Sequence, residues 1–268
     1  MKNSESTSPF AVVTGASSGI GLELARVFAQ NGFDLLITSE TDRIDSAASD
    51  LAATGARVSS VRADLATLEG VETLYTRIQA EGRPVDAIAI NAGVGVGGPF
   101  LENSFEDELN LIKLNVISVV QLSKLVLRDM AARNEGRVLF TASIAAEMPG
   151  PFEAIYAASK AFVLSFAEAI RNELKDTNIV ITALQPGATE TNFFHRAGMD
   201  DTKVGAGKKS DPADVAREGF EALMKGKDHV ISAMAKEKAQ IAVGQVLPDK
   251  VMAEQHRKMS EPGSANPQ

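Results

Sequence analysis

Along most of this chain, apolar runs of strand length alternate with stretches of helix length, and the runs are apolar almost throughout rather than at every second residue. A strand with one wet face alternates apolar and polar side chains. A strand that is apolar on both sides has to be covered on both faces. With a helix after each strand, that requirement leaves few solutions beyond a parallel sheet layered between helices. The strands read as Phe10–Thr14, Asp34–Thr38, Arg57–Arg62, Val85–Ile90, Arg137–Thr141 and Ile179–Leu184, with His229–Ala233 as a short last one. Helices are expected at about Ile20–Asn31, Arg43–Ala53, Leu68–Ala80, Phe105–Arg133, Glu153–Lys175 and Pro212–Lys225. Gly32 and Gly55 stop two of them. Ser104 caps another with Asp107 at the third helical position, and Asp211-Pro212 supplies a cap followed by a proline in the first turn.

The expected architecture is one doubly wound α/β domain of three layers (α/β/α), with no repeat or interdomain linker. It spans 10–258, with a polar, Gly- and Lys-rich lid at about 188–210, a flexible arm at 1–9 and a loose tail at 259–268. A length of 268 residues with 44% hydrophobic and 23% charged composition gives such a domain ample core. Thirty-five acidic against 27 basic residues give a formal charge of -8, and no long basic stretch is present to neutralise phosphates, which argues against nucleic acid. The absence of cysteine excludes disulfides, thiolate catalysis and cysteine-ligated zinc. His195, His229 and His256 are scattered, so no metal site is expected. The N-terminus lacks the apolar core of a signal peptide and the apolar runs fall short of the ~20 residues of a spanning helix, so a cytoplasmic protein without membrane contact is the expectation.

Thr14-Gly15-Ala16-Ser17-Ser18-Gly19-Ile20-Gly21 follows the first strand and opens a helix. Glycines permit a tight turn and close backbone approach, and free N–H groups at a helix start face an anion such as a pyrophosphate. The bland reading is close packing of helix on sheet. No Gly-Lys-Ser/Thr follows, so a P-loop is excluded. Asp64-Leu65, at the end of the third strand, offers an acceptor to an adenine amino group or simply a turn.

Tyr156 and Lys160 sit four apart within a helical stretch, hence on one face about a turn apart. A phenol beside an ammonium is a ready acid/base, because the cation favours phenolate. The rival reading is a half-buried aromatic with a snorkelling neighbour. Ser143, thirteen residues before the tyrosine, can aim a hydroxyl at the same point and stabilise developing charge, or serve as a turn serine.

Taken together these motifs resemble the short-chain dehydrogenase/reductase family over its whole catalytic domain. Thr14 to Gly21 matches its coenzyme motif and Asn91-Ala92-Gly93 its fourth-strand motif. Asn115, Ser143, Tyr156 and Lys160 match its four catalytic positions in order and spacing, and Pro186-Gly187 with Thr189 and Thr191 resembles the segment that closes on the nicotinamide. The resemblance implies a Rossmann fold and an NAD(P)-dependent oxidoreductase interconverting a ketone or aldehyde and its alcohol, with Tyr156 as acid/base. Lys160 is then expected to bind the nicotinamide ribose and hold down the tyrosine pKa, and Asn115 to hold a water linking Lys160 to solvent. Gly15, Ser17, Ser18, Gly19, Ile20 and Gly21 would carry the pyrophosphate side of the coenzyme. Ser39, Glu40, Asp64 and Leu65 would carry its adenosine side, and Asn91, Ala92 and Gly93 would form the floor. NADP-preferring members usually carry a base in the glycine turn or just past strand two; here Ser18 and Ser39 are neutral and Glu40 would repel a 2′-phosphate. The choice leans to NAD, unless Glu40 points into water or Arg43 curls back.

Met148, Phe152, Phe193, Phe194 and Met199 are expected to line an apolar substrate pocket, or to be ordinary lid packing, while Arg196 or His195 stays within reach of a carboxylate. An alternative within the family is a 3-oxoacyl-thioester reductase, for which Lys203, Lys208 and Lys209 would meet a carrier phosphate. An alternative of another class is a catalytically silent NAD(P)-binding regulator or scaffold. Apolar residues on more than one side of the helices at 105–133 and 153–175 call for a further partner, and the resemblance implies a homodimer or homotetramer built across them.

Overall fold

The computed structural model describes residues 8–244 and 247–265. At its centre seven strands run parallel: β1 (Phe10–Thr14), β2 (Asp34–Ser39), β3 (Val58–Arg62), β4 (Ala87–Ile90), β5 (Gly136–Thr141), β6 (Ile179–Pro186) and β7 (His229–Ser232). They lie in the order β3-β2-β1-β4-β5-β6-β7, so the chain winds outward in both directions from a reversal beside β1. At that reversal Val12 pairs in register with Leu36 on one side and Ile88 on the other. Open α/β sheets bind ligands in the crevice at the C-terminal edge of such a reversal.

Helices cover both faces: α1 (Gly19–Gln30), α2 (Arg43–Ala52), α3 (Leu68–Ala80), α4 (Phe105–Ile112), α5 (Ser118–Arg133), α6 (Ala154–Glu173), α7 (Phe193–Arg196), α8 (Lys203–Ala206), α9 (Pro212–Met224), α10 (Ala235–Gly244) and α11 (Asp249–Ser260). The strand period divides the core. Phe10 and Val12 of β1 pack with residues of α3, α5 and α6, while Ala11 and Val13 pack with α1, α2 and α9. Both expected caps form: Ser104 Oγ accepts from the Asp107 N–H at 3.4 Å, and Asp211 Oδ1 from the Ala213 N–H at 2.8 Å.

Three expectations change. The helix expected at 105–133 is interrupted by one wide π-type turn, Lys113–Ile117, between α4 and α5. By length and composition Phe105–Arg133 also passes as a membrane span, against the expectation that every apolar run is too short. Its Val119, Leu122, Val126 and Met130 instead lie buried against the sheet. Third, α10 and α11 go beyond the elements expected, and the tail is tied down as far as 265. Lys203 N–H donates to Ser264 Oγ, and the Gly263 and Ala265 N–H groups donate to Asp201. The physical reason is that the lid supplies polar partners a polar tail can pair with. Of the N-terminal arm, residues 1–7 lie outside the described residues, and Pro9 is held through its carbonyl by the Asp34 N–H.

Candidate active site

The glycine turn folds back on itself at the C-terminal edge of β1. Gly15 and Gly19 hold φ +67 and +57, a region that disfavours side chains. A Cβ on Gly21 would stand 2.2 Å from the Gly15 carbonyl oxygen. Ser18 precedes α1 in an extended conformation and makes no side-chain cap, so the first N–H groups of the helix have no side-chain partner. Those donors, with Ser17, Ser18 and Ile20, line the cleft. This is a cradle built for a diphosphate, and its donor set fits one. Asn91 fixes it to the sheet, since Nδ2 donates to the Thr14 carbonyl at 3.0 Å and Oδ1 accepts from Thr141 Oγ1 at 3.1 Å. Ala92 and Gly93 complete the floor.

At the adenosine end, Ser39, Glu40, Asp64 and Leu65 all line the cleft. Ser39 Oγ accepts from the Thr41 N–H, and Arg62 Nε donates to the Glu40 carbonyl, which leaves the Glu40 carboxylate exposed beside the cleft. Asp64 Oδ1 accepts from the Ala66 N–H at 2.9 Å, so it also makes the turn. Arg43 does not line the cleft and is exposed.

At the other end Ser143, Tyr156 and Lys160 meet, all buried. Ser143 Oγ accepts from the Ala145 N–H at 3.1 Å and keeps its own hydrogen to donate. Lys160 Nζ donates to the Thr141 carbonyl at 2.9 Å and lies 5.8 Å from the Tyr156 ring centroid. Burial pushes the tyrosine pKa above its ordinary value; the Ser143 hydroxyl pulls the other way and the Glu153 charge adds to the rise. The expectation that Lys160 lowers this pKa is therefore not met in this arrangement. The ammonium is itself desolvated, which brings it down to about 8, and the loss of water around the phenol dominates the tyrosine's own shift.

Asn115 stands behind the cleft, fully buried in the wide turn between α4 and α5. Its amide spans Val94, accepting from the N–H at 3.0 Å and donating to the carbonyl at 2.9 Å, and also donates to Ser159 Oγ. A Cβ on Gly93 would fall 3.1 Å from Asn115 Oδ1 and 3.3 Å from Lys160 Nζ, so any larger residue here would crowd both groups. Such wide turns recur at functional sites because they turn one side chain out of helical register.

Pro186, Gly187, Thr189 and Thr191 also line the cleft. Thr189 Oγ1 donates to the Gly187 carbonyl and Thr191 Oγ1 accepts from the Phe193 N–H, so both hydroxyls shape the turn into the lid. Met148, Phe193 and Phe194 form the apolar wall, with the Phe193 ring 5.1 Å from that of Tyr156. Two expected wall residues do not reach it. Phe152 takes a left-handed backbone (φ 65) and lies under the Arg257 guanidinium, 5.0 Å away. Met199 is buried in the lid's own core with Phe194 and Ala197. Of the two candidate cations, Arg196 lines the cleft, while His195 is exposed and pairs with Asp200.

Sequence reasoning missed the contribution of the C-terminal segment. Glu237, Gln240 and Ile241 of α10 and His256, Met259 and Ser260 of α11 line the cleft, as does Glu153 at the start of α6. Glu237 accepts from the Ala188 and Met234 N–H groups, fixing the start of the lid. The one usable signal was the spacing of Met252, His256 and Ser260, which puts three residues on one helical face.

A family profile described as short chain dehydrogenase matches residues 9–202. Oxidoreductase UcpA of Salmonella typhimurium is 33% identical over 219 residues, covering 81% of either chain. Among solved structures, a short-chain dehydrogenase from Sphingobium yanoikuyae in complex with NADPH superposes with a TM-score of 0.78 at 27% identity, covering 92% of this chain and 96% of that one. A short chain dehydrogenase/reductase from Burkholderia phymatum in complex with NAD gives 0.81 at 25% identity, covering 92% and 95%.

Proposed function

The chain belongs to the short-chain dehydrogenase family, and from that premise we propose how its own residues divide the work of an NAD(P)-dependent oxidoreductase on a carbonyl/alcohol pair. One observation carries the reading: a buried phenol, serine hydroxyl and lysine converge where the wall of aromatic side chains meets the glycine cradle. Bound NAD(P) supplies or accepts the hydride. In reduction, Tyr156 Oη gives its proton to the carbonyl oxygen while Ser143 Oγ–H donates a hydrogen bond to the same atom. In oxidation the direction reverses: deprotonated Tyr156 Oη would take the alcohol proton as the hydride leaves the carbinol carbon for the coenzyme, with Ser143 Oγ–H still donating to the same oxygen. The raised tyrosine pKa keeps that proton in place until substrate arrives.

With coenzyme bound, Lys160 would turn from the Thr141 carbonyl to the ribose hydroxyls, and as a cation there it would ease the transient charge on Tyr156. Asn115 is a positioning residue: it fixes Val94 and, through Gly93, the space in which the lysine moves. The N–H groups at the start of α1 would hold the coenzyme's diphosphate, and Glu40 and Asp64 would meet its adenosine. The Glu40 carboxylate favours NAD, since among the described residues those lining that end of the cleft include no cation to meet a 2′-phosphate. The substrate is a fairly apolar ketone or aldehyde, or the matching secondary alcohol, held against Met148, Phe193 and Phe194. The active form is at least a dimer, formed across α4, α5 and α6, where Phe105, Ile117 and Phe162 are exposed.

Tyr156→Phe tests the chemistry. The fold and coenzyme affinity should survive while turnover drops at least ~10²-fold. Steady-state turnover near that of the unaltered protein would end the assignment.

A further inference from the structure

Glu153, His256 and Ser260 form a polar cluster at the substrate end of the cleft, and apart from the effect of the Glu153 charge on Tyr156 the chemistry above does not use it. Glu153 stands at the start of α6, three residues before Tyr156, and is 6% exposed, while the other two residues arrive from α11. One carboxylate oxygen takes both contacts: Ser260 Oγ donates to Glu153 Oε2 at 2.8 Å, and His256 Nε2 stands 3.0 Å from the same atom. A buried carboxylate is costly unless hydrogen-bonded, and this pairing satisfies only half of it. Glu153 Oε1 takes no hydrogen bond from the described residues. In the neutral ring that donates through Nε2, His256 Nδ1 is likewise a free acceptor. Neither atom is fully enclosed.

Two spare acceptors on a pocket wall are complementary to a hydroxyl hydrogen. The carboxylate also repels an acidic group and sits deeper than Arg196, the exposed cation of the same cleft. Glu153 precedes Tyr156 by three residues and His256 pairs with Glu153, and all three line the same cleft, so the acceptors and the phenol can meet one small molecule. The geometry points to a second recognition point: the substrate is a neutral carbonyl compound with an apolar body and a distal hydroxyl, which donates to Glu153 Oε1 or His256 Nδ1. Its carbonyl oxygen meets Tyr156, and its body lies against Phe193. This rests on the oxidoreductase reading and names the substrate class within it.

The test compares cyclohexanone, 4-hydroxycyclohexanone and 4-oxocyclohexanecarboxylate with the full chain, with Glu153→Gln and with His256→Leu. Losing a hydrogen bond to a charged group in a buried site costs about tenfold or more, so kcat/KM should favour the hydroxyketone over cyclohexanone by at least ~10-fold. The keto acid should be the poorest of the three. In either variant the hydroxyketone preference should fall to within ~2-fold while cyclohexanone turnover persists. Because a variant can lose its fold, calorimetric titration of the unaltered protein with oxidised coenzyme, which cannot reduce a ketone, gives the same ranking independently. Equal handling of ketone and hydroxyketone, or a preference for the keto acid, overturns the subsite while the oxidoreductase reading stands. Ranked binding with no turnover of any of the three would keep the subsite and overturn the oxidoreductase reading.

Discussion

Lys160 should weaken the folded protein that it serves, and the size of that cost follows from its burial. Its ammonium titrates at about 8 in place of the ordinary 10.5, through burial alone. At ~1.4 kcal/mol per pH unit, holding the charged form inside costs on the order of 3 kcal/mol at neutral pH. Below pH 8 folded and unfolded chains both carry the proton, so the full cost is present. Between pH 8 and 10.5 the unfolded chain binds a proton that the folded one has released, so stability rises with pH. Lys160→Met keeps the side-chain volume and removes the charge, at the loss of one hydrogen bond to the Thr141 carbonyl, about 1 kcal/mol. The variant should therefore be more stable than its parent by about 1–3 kcal/mol at pH 7. That advantage should shrink by ~2 kcal/mol by pH 9.5. Urea unfolding of both proteins at each pH reads the difference, and other titrating groups cancel between them. Saturating coenzyme should reverse the order, because only the parent gains from binding the ribose. A variant that is less stable at pH 7, or a difference that stays flat across the range, refutes the reasoning.

Glu40→Arg should raise the ratio of kcat/KM for NADP over NAD at least ~10-fold, because a reversed charge beside a phosphate outweighs solvent screening; an unmoved ratio means the carboxylate faces water. Gly21→Ala should cost about 1–3 kcal/mol or more on thermal unfolding and weaken coenzyme binding, since its Cβ would meet backbone at 2.2 Å and backbone cannot step aside. A wild-type melting curve for that variant would mean that the turn is looser than it looks. Light scattering at micromolar concentration should give at least twice the chain mass of 28.3 kDa, and a single mass at that value sinks the dimer.

Five strands, β1, β2, β4, β5 and β6, were legible because a run buried on both faces has one signature, whereas the edge strands β3 and β7 are only half-buried and carry it weakly. The glycine cradle was legible for a related reason: a turn that admits no Cβ must be spelled with glycine, as the 2.2 Å approach at Gly21 shows. Two kinds of information were not local. Solvation is one. The spacing of Tyr156 and Lys160 put them on one face but carried nothing about how much water the fold removes from each, and burial set the direction of both pKa values. Backbone conformation is the other. A phenylalanine in a loop reads as pocket wall, yet the left-handed turn at Phe152 places its ring beneath Arg257.

The largest omission was the C-terminal segment. Its contacts with the site span more than a hundred residues of sequence, from Glu153 to His256 and Ser260. No local pattern announces such a contact. Helix α11 is polar enough to pass for a solvated tail, and its inward face shows only as Met252, His256 and Ser260 at intervals of four. The reacting centre rests on the C-terminal ends of the strands, the glycine turn and the helical residues Asn115, Tyr156 and Lys160, which strand, glycine and helix-spacing patterns reveal. The polar end of the substrate pocket rests instead on a late helix whose partner lies across the cleft. Substrate choice can therefore change through residues 249–265 while the reacting centre stays as it is, and swapping α11 between relatives should move specificity without moving coenzyme affinity.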